Sequence, residues 1–226
     1  MSGSTQVVVI GGGVMGAASA WQLARRGIDV TLVERFGPQH RHGASHGTAR
    51  NFNVSYEDPG LLRWLHEAAD LWGELEGETD AEILTRTGII NHGPGRDFER
   101  AAVALAVGGF QADLVDAPEA RRRWPGFRFE GPVLHTPEAG RLHADRAVAS
   151  FVEAAVAHGA RVRYDTQIVG GAIDDDGVRL RVRTAAGADE VIDARRAIVT
   201  AGAWTSDVLA TLGATFALPP LRVTQE

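Results

Sequence analysis

The sequence predicts an α/β fold built around a parallel sheet, and three observations support this prediction. Residues 7–34, VVVIGGGVMGAASAWQLARRGIDVTLVE, contain an apolar strand, a glycine-rich turn, a helix-compatible segment and a second apolar strand. Residues 197–204, AIVTAGAW, contain a further apolar strand that ends in small residues. Predicted helices and strands follow one another along the rest of the chain, a pattern typical of two- or three-layer domains with a sheet at the centre.

The first strand–helix–strand unit has the glycine spacing of a dinucleotide site, Gly11-x-Gly13-x-x-Gly16, and ends in Glu34. Gly11 permits a tight turn, Gly13 lets a pyrophosphate approach the backbone, and Gly16 lets the helix pack close to the sheet. Glu34 follows the second strand, where a carboxylate accepts hydrogen bonds from ribose hydroxyls. A structural unit without a ligand is the alternative interpretation, and the motif alone does not choose between NAD and FAD.

The elements after Glu34 are predicted from periodicity and turn residues. Residues 35–55 form a long polar loop rich in Gly and His, which favours a functional role beside a bound ligand. A helix over 59–76 places five residues on one face, which we expect to be buried: Leu61, Leu65, Ala68, Trp72 and Leu75. The remaining predictions are a strand over 86–92, helices over 97–107, 118–123 and 143–158, and strands over 161–164, 178–183, 191–192 and 197–199.

Composition limits the classes of function. The chain has 226 residues, 44% of them hydrophobic, which is enough for one large domain or two small ones. A net charge of −6 argues against a nucleic-acid partner. The chain has no cysteine, so it has no disulfide, thiolate metal site or cysteinyl bond to a prosthetic group. The absence of cysteine is compatible with the cytoplasm, and no signal peptide or membrane partner is predicted.

Several charged groups are interpreted without a ligand. The arginines at 121–123, and those that alternate at 179, 181 and 183, are expected to face water. His40, His42 and His46 match no common metal template, and the acidic run at 174–176 is interpreted as a turn, so no metal site is predicted.

The small residues that follow the strand at 197–199 are the second functional signal. Ala201 and Gly202 stand where a backbone would approach a cofactor at the carboxyl end of a strand, although an ordinary strand-to-loop glycine is an equal alternative. Together with the first motif they favour FAD over NAD, because a long loop and a hairpin-rich insertion separate the two signals.

Four segments resemble the FAD-dependent D-amino-acid-oxidase-like (DAO) superfamily, and within it the branch of monomeric sarcosine oxidases and N-methyl-amino-acid oxidases. They are VIGGGVMGAASAWQLARRGIDVTLVER, GASHGTARNF, PEAGRLHADRAV and IVTAGAW, and the likeness covers nearly the whole chain. The resemblance implies a Rossmann-like FAD-binding domain of the three-layer glutathione-reductase type with part of an α+β substrate domain. The implied boundaries are 1–85 and 141–210 for the FAD-binding domain, 86–140 for the substrate side, and 211–226 for the start of a substrate-domain sheet.

The resemblance also implies roles for individual residues. FAD would be bound without a covalent link. His46 and Arg50 would act in catalysis, with Arg50 beside the isoalloxazine. The implied cofactor-binding residues are Gly11, Gly13, Val14, Met15, Gly16, Glu34, Arg35, Ser45, His46, Gly47, Arg50, Ile168, Ala201, Gly202 and Trp204.

The activity implied by the resemblance is oxidation of the C–N bond of a secondary or N-alkyl amine or amino acid, with hydride transfer to flavin N5 and reoxidation by O₂ to give H₂O₂. The alternatives are an FAD-binding subunit of an amine dehydrogenase that uses another electron acceptor, an NAD-dependent domain, or an inactive fragment. Two departures bear on this. Asn53 replaces the family's second arginine, and the chain is shorter than family members, so a second chain or a further segment is expected to complete the substrate domain.

Overall fold

The structure, a computed structural model, describes residues 2–214 and divides into two compact units. The first unit contains the described residues up to Thr48 and from Ala144 onward, and the second contains Ala49–His143. The predicted boundary at 85 therefore differs from the observed one at 48, whereas the predicted boundary at 140 lies close to the observed one. Most of the predicted terminal segment 211–226 lies outside the described residues.

The order of elements alternates strands and helices at first and ends in a run of strands. The strands and helices are β1 (Ser2–Ile10), α1 (Val14–Ala24), β2 (Val30–Val33), β3 (Arg50–Phe52), α2 (Pro59–Thr79), β4 (Leu84–Thr85), β5 (Ile89–Asn91), α3 (Phe98–Val107), β6 (Asp113–Val115), α4 (Ala117–Arg123), β7 (Val133–Thr136), β8 (Gly140–Leu142), α5 (Ala144–Ala157), β9 (Arg161–Arg163), β10 (Thr166–Asp174), β11 (Gly177–Thr184), β12 (Asp189–Val199) and α6 (Thr205–Thr211).

The first unit contains a six-stranded sheet in the order β10-β11-β12-β1-β2-β9. Strands β12, β1, β2 and β9 are parallel neighbours, whereas β10, β11 and β12 form an antiparallel meander. Ile10 is in register with Val199 on one side and Val33 on the other. The carboxyl ends of three parallel strands therefore lie at the same edge, where open α/β sheets bind their ligands.

Helices α1 and α5 pack together beside the sheet of the first unit, and α6 contacts β10 at its edge. Val8 and Ile10 share a face of β1 and pack in one buried cluster with Val178, Leu180 and Val182 of the meander. Because side chains alternate along a strand, Val7 and Val9 point to the other face. Helix α1 contacts β1 and β2, and its Trp21 ring lies 5.5 Å from the Phe151 ring of α5. The predicted three-layer α/β fold is confirmed.

The second unit contains two small antiparallel sheets, β3-β8-β4 and β5-β7-β6, with helices α2, α3 and α4. Helix α2 packs within this unit through Leu62, Leu65 and Trp72, which explains why residues 49–85 belong to it. The predicted buried face of α2 is wrong at Leu61, which is 39% exposed, whereas Leu62 is 1% exposed. The predicted strand over 86–92 is shorter in the structure, where β5 comprises Ile89–Asn91 and Gly88, with a φ of +70°, directly precedes it.

The clustered arginines face water, as predicted. Arg122 and Arg123 pair with Glu119 on α4, and this hydrogen bonding lowers the pKa of the Glu119 carboxyl. On the meander, Arg179 and Arg183 pair with neighbouring aspartates at 2.7 and 2.8 Å. Within residues 2–214, no three His, Asp or Glu side chains are grouped to hold a metal ion. In the same range, no helix has the length and apolar character needed to cross a bilayer.

Candidate dinucleotide-binding site

The turn at residues 11–16, called here the glycine turn, joins β1 to α1 and needs glycine at both ends. Gly11 has a φ of +105°, and its N–H donates to the Val33 carbonyl at 2.9 Å. A Cβ added at Gly11 would lie 2.6 Å from the Thr200 carbonyl oxygen. A Cβ added at Gly16 would overlap the Gly11 carbonyl oxygen. Glycine therefore allows the end of β1, the start of α1 and the chain after β12 to meet.

The N-terminus of α1 presents amide donors beside a loop serine. Gly13 is the N-cap residue and has no side chain with which to cap the helix. The Val14 N–H donates to Ser45 Oγ at 3.0 Å, which satisfies one of the first-turn donors. A Cβ on Gly13 would stand 3.1 Å from the same oxygen. Met15, the next residue of the turn, is 68% exposed. The donors and the positive helix end suit an anion such as a diphosphate.

Glu34 lies at the end of β2 and is only 6% exposed. Its Oε2 accepts the Gly12 N–H at 2.6 Å and its Oε1 accepts the Phe36 N–H at 2.9 Å. His40 Nε2 lies 3.4 Å from Oε1. Each carboxylate oxygen has two lone pairs and can accept two hydrogen bonds, so Glu34 retains capacity for ligand hydroxyls while it holds the glycine turn.

The second small-residue segment, residues 200–204, adjoins the glycine turn. The Thr200 N–H donates to the Ile10 carbonyl at 2.8 Å. A short 3₁₀ helix, Gly202–Trp204, begins with Gly202 at a φ of +54°. The Trp204 ring lies 5.7 Å from the Phe36 ring, two residues after Glu34. The two signals that the sequence separates by nearly its whole length are therefore neighbours in the first unit.

The loop of residues 44–47 is held in place by Asp145, near the start of α5. Asp145 Oδ1 accepts the Gly47 N–H at 2.7 Å, and the Asp145 N–H donates to the Gly47 carbonyl at 3.0 Å. Gly47 has a φ of +116°, which favours glycine. Within the loop, His46 Nδ1 hydrogen-bonds the Gly43 carbonyl. This reciprocal pair places Ser45 at the α1 terminus.

Arg35 follows Glu34 directly along the chain, and β10, the strand that carries Ile168, begins beside Glu34. The Arg35 guanidinium carbon lies 5.3 Å from the centre of the Phe36 ring. The Thr166 N–H at the start of β10 donates to the Glu34 carbonyl at 2.9 Å, two residues before Ile168. Tyr164 is half-buried here, and burial, followed by the negative charge of Glu34, raises the pKa of its phenol.

Arg50, a predicted site residue, and Asn53 belong to the second unit. Arg50 is the first residue of β3, is exposed, and donates from Nη1 to the Ala49 carbonyl at 2.7 Å. Asn53 accepts the Ser55 N–H through Oδ1 at 3.0 Å. The Asn53 side chain therefore supports its own turn.

Sequence reasoning did not identify Thr200, Asp145 or Phe36, each of which contacts this site. Asp145 lies near the predicted start of a helix, and Thr200 directly follows a predicted strand. These two positions could have marked Asp145 and Thr200 as candidates in the sequence, but they do not show which distant backbone atoms the two residues contact.

The chain matches the family model described as FAD dependent oxidoreductase (DAO) over residues 6–225. Monomeric sarcosine oxidase of Bacillus sp. (strain B-0618) is 32% identical over 232 residues, covering 98% of this chain and 57% of that protein. N-methyl-L-tryptophan oxidase of Escherichia coli O81 (strain ED1a) is 31% identical over 209 residues, covering 90% of this chain and 55% of that protein.

A solved structure of L-proline dehydrogenase from P. horikoshii matches with a TM-score of 0.81, 21% identity, and coverage of 97% of this chain and 58% of that chain. At that identity the likeness concerns the fold alone. The chain spans little more than half the length of the curated relatives it matches.

Proposed function

The chain belongs to the DAO family of FAD-dependent oxidoreductases, and from this premise we propose that its first unit binds FAD at the glycine turn and residues 200–204. The observation that carries the proposal is the contact between these two segments, through the Thr200 N–H and the Ile10 carbonyl at 2.8 Å. A single extended dinucleotide can therefore contact both.

The first-turn amides of α1 would hold the pyrophosphate at the positive end of the helix. Ser45 supports this, because its hydroxyl accepts the Val14 N–H at 3.0 Å and keeps its own proton to donate to a phosphate oxygen. Glu34 would accept the ribose hydroxyls with the lone pairs that Gly12 and Phe36 leave unused. FAD would be held without a covalent bond to cysteine, because the chain has none.

The remaining assignments follow the family pattern. Arg35 and the Ile168 backbone would contact the adenine, and Ala201, Gly202 and Trp204 would contact the flavin end of the cofactor. Ser45, His46 and Gly47 would lie along the flavin. Arg50 would favour negative charge on the reduced flavin, because its own positive charge is held in a fixed position. An Arg50→Ala protein whose flavin is reduced at an unchanged rate would contradict that role.

The proposed reaction is oxidation of the C–N bond of a secondary or N-alkyl amine or amino acid. Bound FAD would supply the redox chemistry by accepting a hydride at N5, and O₂ would reoxidise it. The chain's residues would bind and orient the cofactor. Asn53 lacks the guanidinium that pairs with a carboxylate in two hydrogen bonds, so a simple amino-acid carboxylate would need another partner. A cytoplasmic location stays a prediction.

Two experiments test this function. Titration of the purified protein with FAD, followed by flavin fluorescence and visible absorption, should give one bound FAD per chain, whereas NAD should not compete. Oxygen consumption with N-methyl amines then separates an oxidase from the second candidate, a dehydrogenase subunit that passes electrons to another acceptor. FAD binding without turnover by either route would favour the third candidate, an inactive fragment.

A further inference from the structure

Thr200 makes three hydrogen bonds, two to the last residue of β1 and one to the first residue of the glycine turn. Its N–H donates to the Ile10 carbonyl at 2.8 Å. Its hydroxyl lies 3.0 Å from the Ile10 carbonyl oxygen and 2.9 Å from the Gly11 carbonyl oxygen, and donates to both. The hydroxyl carries one proton, so the two carbonyls share it. The side chain of one residue thus reaches the first glycine of the turn from a strand nearly at the other end of the chain.

The Thr200 hydroxyl fits only because Gly16 has no side chain. A Cβ at Gly16 would stand 2.6 Å from Thr200 Oγ1, in addition to its overlap with the Gly11 carbonyl oxygen. Glycine at position 16 therefore makes room for a hydrogen-bonding hydroxyl as well as for close packing of the helix. The end of β12, the glycine turn and the first turn of α1 meet at this one oxygen.

Thr200 and Glu34 hold the same peptide group from its two sides. The Gly11 carbonyl accepts the Thr200 hydroxyl, and the Gly12 N–H donates to Glu34 Oε2 at 2.6 Å. Carbonyl and N–H of a trans peptide point in opposite directions and belong to one rigid plane. Fixing both ends therefore fixes the orientation of the Gly11–Gly12 peptide, which sets the direction of the amides that follow it.

We propose that Thr200 is a positioning residue that, together with Glu34, clamps the Gly11–Gly12 peptide and so preorganises the glycine turn for the pyrophosphate of a dinucleotide. The inference rests on the proposed binding of FAD. A preorganised site binds more tightly because its groups lose less conformational freedom on binding. Loss of the hydroxyl should therefore weaken the binding of the cofactor, even though the hydrogen bonds of this hydroxyl are made to backbone carbonyls.

The test compares Thr200→Val, which removes the hydroxyl at nearly constant shape, with Thr200→Ser, which keeps it. Thr5→Val is the matched control. The Thr5 hydroxyl also donates to two backbone carbonyls, Val7 at 3.2 Å and Asp29 at 2.9 Å, but it does so near the middle of β1, away from the glycine turn. Thr200→Ala gives a second test of the same hydrogen bonds without the added methyl group.

Thr200→Val and Thr200→Ala should raise the Kd for FAD roughly tenfold, the effect of about one hydrogen bond. Thr200→Ser should bind FAD with a Kd close to that of the wild type, and Thr5→Val should leave the Kd unchanged. Equal Kd values for Thr200→Val and wild type, or equal weakening by Thr5→Val, would overturn the inference.

A second readout needs no cofactor. Amide hydrogen exchange at Gly12, followed by NMR in the FAD-free protein, should be faster in Thr200→Val and unchanged in Thr5→Val. Unchanged Gly12 exchange in Thr200→Val would refute the clamp whatever the binding result. Failure of the wild-type protein to bind FAD would instead refute the proposed function, and the exchange rates would still decide whether the clamp exists.

Discussion

Replacing Gly16 by alanine should destabilise the first unit because the new methyl group has no space. The Cβ would overlap the Gly11 carbonyl oxygen and stand 2.6 Å from Thr200 Oγ1. The Gly11 carbonyl oxygen is a backbone atom that no side-chain rotation can remove, so α1 must move away from β1. Overpacking of this kind costs about 3 kcal/mol, and loss of the Thr200 hydrogen bond about 1 kcal/mol. The higher helix propensity of alanine compared with glycine offsets about 1 kcal/mol of this loss. The expected net loss is about 3 kcal/mol.

Gly73→Ala is the control, because it makes the same change inside α2, where nothing lies within 4 Å of an added Cβ. It should stabilise the protein by about 0.5 to 1 kcal/mol. Thermal unfolding followed by circular dichroism should show a fall in Tm of about 6 to 12 °C for Gly16→Ala and a small rise for Gly73→Ala. A rise for both variants would refute the packing argument.

Three further predictions concern the surroundings of the site and the fold that carries it. Glu34→Gln should lower the pKa of the Tyr164 phenol but leave it above the ordinary value, since burial is the larger cause; an ultraviolet titration at alkaline pH checks this, and an unchanged pKa would contradict it. Asp145→Ala should release the loop of residues 44–47, so that proteases cut this loop faster and FAD binds more weakly. Asp145→Asn keeps an oxygen that accepts the Gly47 N–H, so it should lose less of the FAD affinity. Arg163 lowers the pKa of Glu190, so their ion pair stabilises the fold above the usual glutamate range and is lost as pH falls through the lowered value. Glu190→Gln should therefore reduce the free energy of unfolding near neutral pH and leave it unchanged in strong acid, and an equal effect at both pH values would contradict the assignment.

The sequence was sufficient for the part of the site that is built from local signals. The glycine spacing predicts the β1 turn, and the structure shows why Gly11 and Gly16 are needed there. The register of Ile10 with Val199 then brings residues 200–204 to the same edge of the sheet. That adjacency follows from a parallel sheet, so fold class and the meeting of the two segments were both predictable.

The rest depends on contacts between residues far apart in the chain, which periodicity does not encode. The Thr200 hydroxyl reaches a carbonyl 189 residues away, and Asp145 reaches Gly47 across 98 residues. The buried face of α2 differs from the predicted face at Leu61 and Leu62, because the exact rotation of a helix is set by the surface it packs against. Because α2 packs against this surface, residues 49–85 belong to the second unit and not to the first, where the sequence placed them.

The central claim is that one FAD molecule contacts both the glycine turn and residues 200–204. A crystal structure determined with FAD tests this most directly. The account predicts the pyrophosphate within hydrogen-bonding distance of the first-turn amides of α1, with the flavin end beside residues 201–204. Density for FAD at any other position, or for a different nucleotide at these two segments, would contradict it.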